Sequence, residues 1–249
     1  MSTQKKYILI TGGSRGIGRA ISLSLADKNV CLFVNYLRDD EAALQVKKEL
    51  EKKGAEVHLV PGNVGDPEAV LSLFSFITSK TKRLDTLVHS AALGVFKPVH
   101  KLRVKDWDIS LDVNAKAFLT LSQGALPLMK EHGGGIVTIS SLGAGRFTPN
   151  YGAIGISKAA LENLVRYLAV ELASFHIRVN AVSGGLVDTE SLKQFPDFEK
   201  MKEEALWHTP GGRVGKPQDI ANVVSFLLSP EAGWIYGQTL IADGGYSLF

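Results

Sequence analysis

A chain of 249 residues that is 45% hydrophobic can bury one sizeable core, and an α/β fold of this length forms a single domain. Its formal charge of +3, with no long block of like charges and no apolar run of membrane-spanning length, argues against nucleic acid or a membrane as the main partner. The lone Cys31 cannot form an internal disulfide, and the strand-like run at 7–11 leaves no room for a signal peptide, so a soluble, cytoplasmic protein is expected.

The chain opens as strand, turn and helix: an apolar run at 7–11, the glycine stretch TGGSRGIG at 11–18, and a helical pattern at 19–28. Glycines in that context let the backbone approach a pyrophosphate, whose charge meets the helix N-terminus. Gly12, Ser14, Arg15, Gly16, Ile17 and Gly18 are therefore expected to hold a dinucleotide. The second strand, 31–36, lacks at its end the acidic residue that would grip the adenosine ribose of NAD; Asn35 stands there. Arg15 and Arg38 offer planar cations suited to a ribose 2′-phosphate, which points to NADPH.

Helices at 41–53 and 67–82 alternate with strands at 57–61 and 84–89, the pattern of a doubly wound parallel sheet of Rossmann type. Asn63 follows the third strand and Ser90 and Ala91 the fourth, where strand ends would face the adenosine half of the cofactor. His89 is read as a strand-end structural residue, and no metal is expected, because no second His or Cys stands at ligand spacing from it.

A long helical pattern at 104–129 carries Asn114 between apolar neighbours, and a polar residue there needs a partner or a purpose. A strand at 136–140, a helix at 150–173, a strand at 177–182 ending at Gly184 and Gly185, a helix at 216–228 and a strand at 238–243 complete the regular elements. The segment 188–208, with Phe195, Phe198 and Trp207 among charged residues, is expected to form a substrate lid. Tyr151 and Lys158 are seven positions apart, so on one helix they share a face within about 20° and about 10 Å of axis. An adjacent ammonium favours the phenolate and would bring proton transfer by Tyr151 within reach at neutral pH.

Taken together and in this order, these motifs resemble the short-chain dehydrogenase/reductases over the whole chain. The resemblance implies an NADP-dependent oxidoreductase in which Asn63 and Val64 contact adenine, Gly184, Val187 and Thr189 lie along the nicotinamide, and Asn114, Ser141, Tyr151 and Lys158 are catalytic. In the family's usual Tyr-x3-Lys arrangement the tyrosine would occupy position 154, which is Ile154 here. The Tyr-x6-Lys spacing, with LGAGRFTPNY before it and HSAALGVFKPV at 89–99, is similar to the NADPH-using enoyl-acyl-carrier-protein reductase III type. That likeness implies reduction of the trans-2 double bond of an enoyl thioester in fatty-acid synthesis, delivery of the substrate by an acyl carrier protein, and a homotetramer; some of Lys97, Lys101, Arg103, Lys105 and Lys193, which flank the expected pocket in sequence, are expected to form a basic rim for that acidic carrier. The alternatives are a 3-oxoacyl or other carbonyl reductase, or a nucleotide-sensing module on the same fold.

Overall fold

The computed structural model describes residues 4–190, 192 and 198–248. Strands β1 (Lys6–Thr11), β2 (Val30–Tyr36), β3 (Glu56–Pro61), β4 (Thr86–His89), β5 (Gly134–Ser141), β6 (Ile177–Gly184) and β7 (Thr239–Ala242) form a seven-stranded sheet in the order β3-β2-β1-β4-β5-β6-β7. All adjacent pairs are parallel. The helices are α1 (Gly16–Leu25), α2 (Asp40–Lys52), α3 (Pro67–Lys80), α4 (Val104–Leu111), α5 (Ala117–Met129), α6 (Gly152–Leu172), α7 (Phe198–His208) and α8 (Pro217–Leu228).

Side-chain alternation along the strands feeds two cores. Ile8, Ile10, Leu32 and Val34 pack under α1, α2 and α8, whereas Leu9, Phe33 and Leu87 pack under α3, α5 and α6. Burial of both sheet faces is why the strands read as unbroken apolar runs rather than alternating ones. Phe118, fully buried and stacked on His89 at 5.8 Å, lies in the second core, where truncation to Ala costs about 3–5 kcal/mol. Strand order reverses between β1 and β4, which opens a crevice beyond their carboxyl ends.

Three departures from the sequence-based expectation bear on the site. The glycine turn supplies the first turn of α1, which runs from Gly16 to Leu25 rather than over 19–28. The helix expected at 104–129 is interrupted by a π-helical turn, Asp112–Lys116, centred on Asn114. The helix expected from 150 begins at Gly152, because Asn150 takes a left-handed φ of 60° and leaves Tyr151 at the N-cap. In the expected lid, α7 covers 198–208 and turns Ala205 inward while Trp207 stays in solvent. Lys193 and Phe195 lie outside the described residues. Among the described residues no helix is long and apolar enough to cross a membrane.

Candidate active site

The loop between β1 and α1 is built for close backbone approach. Gly12 has φ +64°, and a methyl group on it would stand 2.8 Å from the Cα of Ala91. A methyl on Gly18 would overlap the Gly12 carbonyl oxygen. Arg15 caps α1 by backbone alone, with no side-chain hydrogen bond and no acid in the first turn, so the helix presents its free N–H groups and positive end to the crevice. That donor set fits a dinucleotide pyrophosphate. Thr189, following β6, faces the same loop: a methyl on Gly16 would lie 3.7 Å from its Cγ2. The loops after β1, β4 and β6 therefore converge, bringing Gly12 beside Ala91 and Gly16 beside Thr189.

At the end of β2 the Asn35 amide donates to the carbonyls of Val60 and Gly62, 3.1 and 3.0 Å away, so it stitches β2 to β3 and is turned from the crevice. Arg15 and Arg38 are exposed, and among the described residues neither forms an ion pair. Asn63 is exposed and uses its side chain to close its own turn onto the Gly65 N–H. The Val64 side chain is committed to the core, as is that of Val187, so any contribution they make to a cofactor comes through backbone.

Tyr151 and Lys158 are both tied to the end of β5. The Lys158 ammonium, buried, donates to the Ile139 carbonyl at 2.7 Å. The Tyr151 hydroxyl shares a hydrogen bond with Ser141, whose oxygen also accepts from the Gly143 N–H at 3.3 Å. Burial lowers Lys158 to about 8, with Glu162 opposing that shift. Burial raises the Tyr151 phenol, and Ser141 pulls it part of the way back. The expectation of a phenolate stabilised by a neighbouring ammonium is thus corrected: desolvation dominates, and Tyr151 is a protonated donor at neutral pH.

Ile154 occupies the position of the family's usual tyrosine. It is buried and packs so closely on Gly94 that a methyl there would overlap it. The Asn114 side chain spans to the loop after β4, accepting from the Leu93 N–H at 3.0 Å and donating to the Leu93 carbonyl at 2.9 Å and to Ser157 at 2.8 Å. Its role here is to hold that loop against α6. His89 is buried with its Nδ1 2.9 Å from the Thr11 hydroxyl, and burial pushes it down to about 3, so it is neutral.

A cavity of about 610 Å³ opens above Tyr151, lined by residues that include Lys97, Pro98, Val99, Phe147 and Ile156. Phe96 stacks on the Tyr151 ring at 6.2 Å, and the Arg146 guanidinium lies 4.9 Å from the Tyr246 ring, bracing the loop after β5 on the carboxyl-terminal segment. In the basic rim expected here, Lys97 and the exposed Arg103 are both engaged by the buried Asp106, which leaves Lys101 and Lys105 as its cations without an ion pair among the described residues. Phe96, Ser157 and Glu162 were not foreseen; the only sequence signal was an acid one helical turn beyond Lys158. Cys31, Glu56 and His58 also lie close enough together to share a cation, but toward the amino ends of β2 and β3, with Lys5 paired to Glu56.

The family described as enoyl-(acyl carrier protein) reductase matches residues 12–247. The chain is a short-chain dehydrogenase/reductase. It is 40% identical over 247 residues to the 1-cyclohexenylcarbonyl-CoA reductase of Streptomyces collinus, covering 98% of this chain and 88% of that one. It is 34% identical over 241 residues to the 3-oxoacyl-[acyl-carrier-protein] reductase of Staphylococcus aureus, covering 96% and 97%. A 7α-hydroxysteroid dehydrogenase solved with NADH and 7-oxo glycochenodeoxycholic acid superposes with a TM-score of 0.91 at 34% identity, covering 97% of this chain and 94% of that one. This dehydrogenase/reductase therefore shares its fold with reductases of both unsaturated acyl and keto substrates, and its side chains must distinguish the two.

Proposed function

We propose that this reductase uses NADPH to reduce the trans-2 double bond of an enoyl thioester, presented by an acyl carrier protein. The observation that carries the reading is the exchange of roles at the start of α6: the hydrocarbon of Ile154 is packed on Gly94, while Tyr151 lines the cavity with its phenol bonded to Ser141. A ketone must be protonated on the oxygen attached to the carbon that receives hydride. In an enoyl thioester the hydride goes to Cβ and the charge collects on a carbonyl oxygen two bonds farther along. A donor displaced from position 154 to position 151 suits the second case.

Gly12, Gly16, Gly18, Ser14, Ile17 and Arg15 would hold the pyrophosphate half, with Ser90, Ala91 and the backbone of Asn63, Val64, Gly184 and Val187 along the crevice. Arg38 and Arg15 would meet the 2′-phosphate. NADPH, when bound, supplies the hydride. Tyr151 would donate its hydrogen bond to the thioester oxygen, Ser141 would orient that hydroxyl, Lys158 would bind the cofactor ribose, and Asn114 fixes the loop after β4. The S. collinus relative is named for a substrate whose thioester carbonyl is conjugated to a ring double bond and which has no ketone, and this supports the reading. The S. aureus relative favours the alternative, 3-oxoacyl reduction.

The test compares NADPH oxidation by the purified protein with a trans-2-enoyl thioester and with the matching 3-oxoacyl thioester. Preference for the enoyl substrate by tenfold or more in kcat/KM is expected; efficient 3-oxoacyl reduction with the enoyl thioester untouched would establish the alternative.

A further inference from the structure

Glu162 has no role in the scheme above, yet it is placed to matter. It follows Lys158 by four residues on α6, one turn along the same face. Its carboxylate accepts a hydrogen bond from the buried Ser140 hydroxyl at 2.6 Å, and the neighbouring Ile139 carbonyl holds the Lys158 ammonium at 2.7 Å. Two consecutive residues of β5 therefore anchor an acid and a base that face each other across one helical turn. Among the described residues Glu162 forms no direct ion pair, so its carboxylate acts on Lys158 through the field across one helical turn rather than through contact.

We infer that Glu162 is a positioning residue: pinned by Ser140, it is the fixed counter-charge that keeps Lys158 an ammonium under the cofactor ribose and Tyr151. The inference deepens the proposed function, since it rests on Lys158 acting in its charged form.

The other groups around Lys158 do not supply that charge. His89 on β4 is neutral, and Lys158 itself disfavours its protonation. Tyr151 at the start of α6 is a protonated phenol. From β5 come the hydroxyls of Ser140 and Ser141, and from the π turn the Asn114 amide, none of which titrates. Lys158, already lowered to about 8, has Glu162 as the opposing influence.

The experiment records kcat/KM and the Kd for NADPH against pH for the parent, Glu162→Gln and Ser140→Ala. Glu162→Gln keeps an acceptor for Ser140 and removes only the charge. Both activity and NADPH affinity should fall with rising pH at a point about half to one pH unit lower than in the parent, and turnover near pH 6 should return to within about threefold. Ser140→Ala, which frees the carboxylate to swing into solvent, should move the same limb in the same direction by less. If the glutamine variant does not fold, the alanine variant decides alone. A limb that stays at the parent's pH in the variants that fold overturns the inference. The NADPH-binding readout is independent of which thioester is reduced, so failure of the enoyl reading leaves it standing.

Discussion

Replacing Lys158 by Met should stabilise the fold while disabling it. Burial lowers Lys158 from 10.5 to about 8. At about 1.4 kcal/mol per tenfold change in proton affinity, holding the ammonium in this site costs about 3 kcal/mol at pH 7. Met fills a similar volume but gives up the 2.7 Å bond to the Ile139 carbonyl, a loss of about 1–2 kcal/mol. The net gain is about 1–2 kcal/mol, which for a chain of this size raises Tm by about 2–8 °C. The sign is fixed by linkage. The folded pKa lies below the unfolded one, so the penalty is complete below about pH 8 and fades as pH rises toward 10.5, where the unfolded lysine also loses its proton. Thermal melts followed by circular dichroism at pH 7 and near pH 10 should show a Met variant that melts higher at pH 7, by a margin that shrinks at the higher pH. A Met variant less stable than the parent at pH 7, or one equally stabilised at both, would refute the reasoning.

Four further outcomes are expected. Tyr151→Phe should lower turnover by about 10²–10⁴-fold while leaving NADPH affinity within about twofold, measured by steady-state kinetics and fluorescence titration. Arg38→Ala should weaken NADPH binding about 10–100-fold and leave NADH binding unaltered, as expected for loss of one charge-assisted contact to a 2′-phosphate; equal losses for both cofactors would remove Arg38 from that role. Gly18→Ala, whose methyl would overlap the Gly12 carbonyl oxygen, should destabilise the protein by about 1–3 kcal/mol and abolish measurable cofactor binding. Val170 and Tyr167 on α6 are 79% and 62% exposed, and a homotetramer that covers them should appear by light scattering at micromolar concentration; a monomer would rule it out.

The doubly wound sheet was legible because its signals are local: the apolar runs, the glycine turn and the βαβ alternation each report on their own neighbourhood. The tight turn between β1 and α1 was legible by the same logic, since Gly12 and Gly18 face contacts only glycine tolerates. What could not be read were contacts made at long range. The π turn at Asn114 depends on Leu93, which is brought against it only when β4 and α6 are in place. The phenol's direction of shift was misjudged because spacing places Tyr151 near Lys158 but says nothing of the depth at which desolvation outweighs that charge. Asp106 illustrates the same limit: along the chain Lys97 and Arg103 look like free surface cations, and only the fold shows both gathered on one buried carboxylate.

Asn150 has a broader consequence. Its left-handed backbone takes Tyr151 out of α6, so the phenol's position is governed by the length of the 142–150 loop and its bond to Ser141 rather than by helix pitch. Lys158, by contrast, is registered on β5 through Ile139. On the proposed reading, the proton donor and the cofactor anchor are thus separately adjustable parts. Insertions or deletions in one short surface loop can move the donor along the substrate without disturbing the cofactor, a modular route by which a single scaffold changes which bond it reduces.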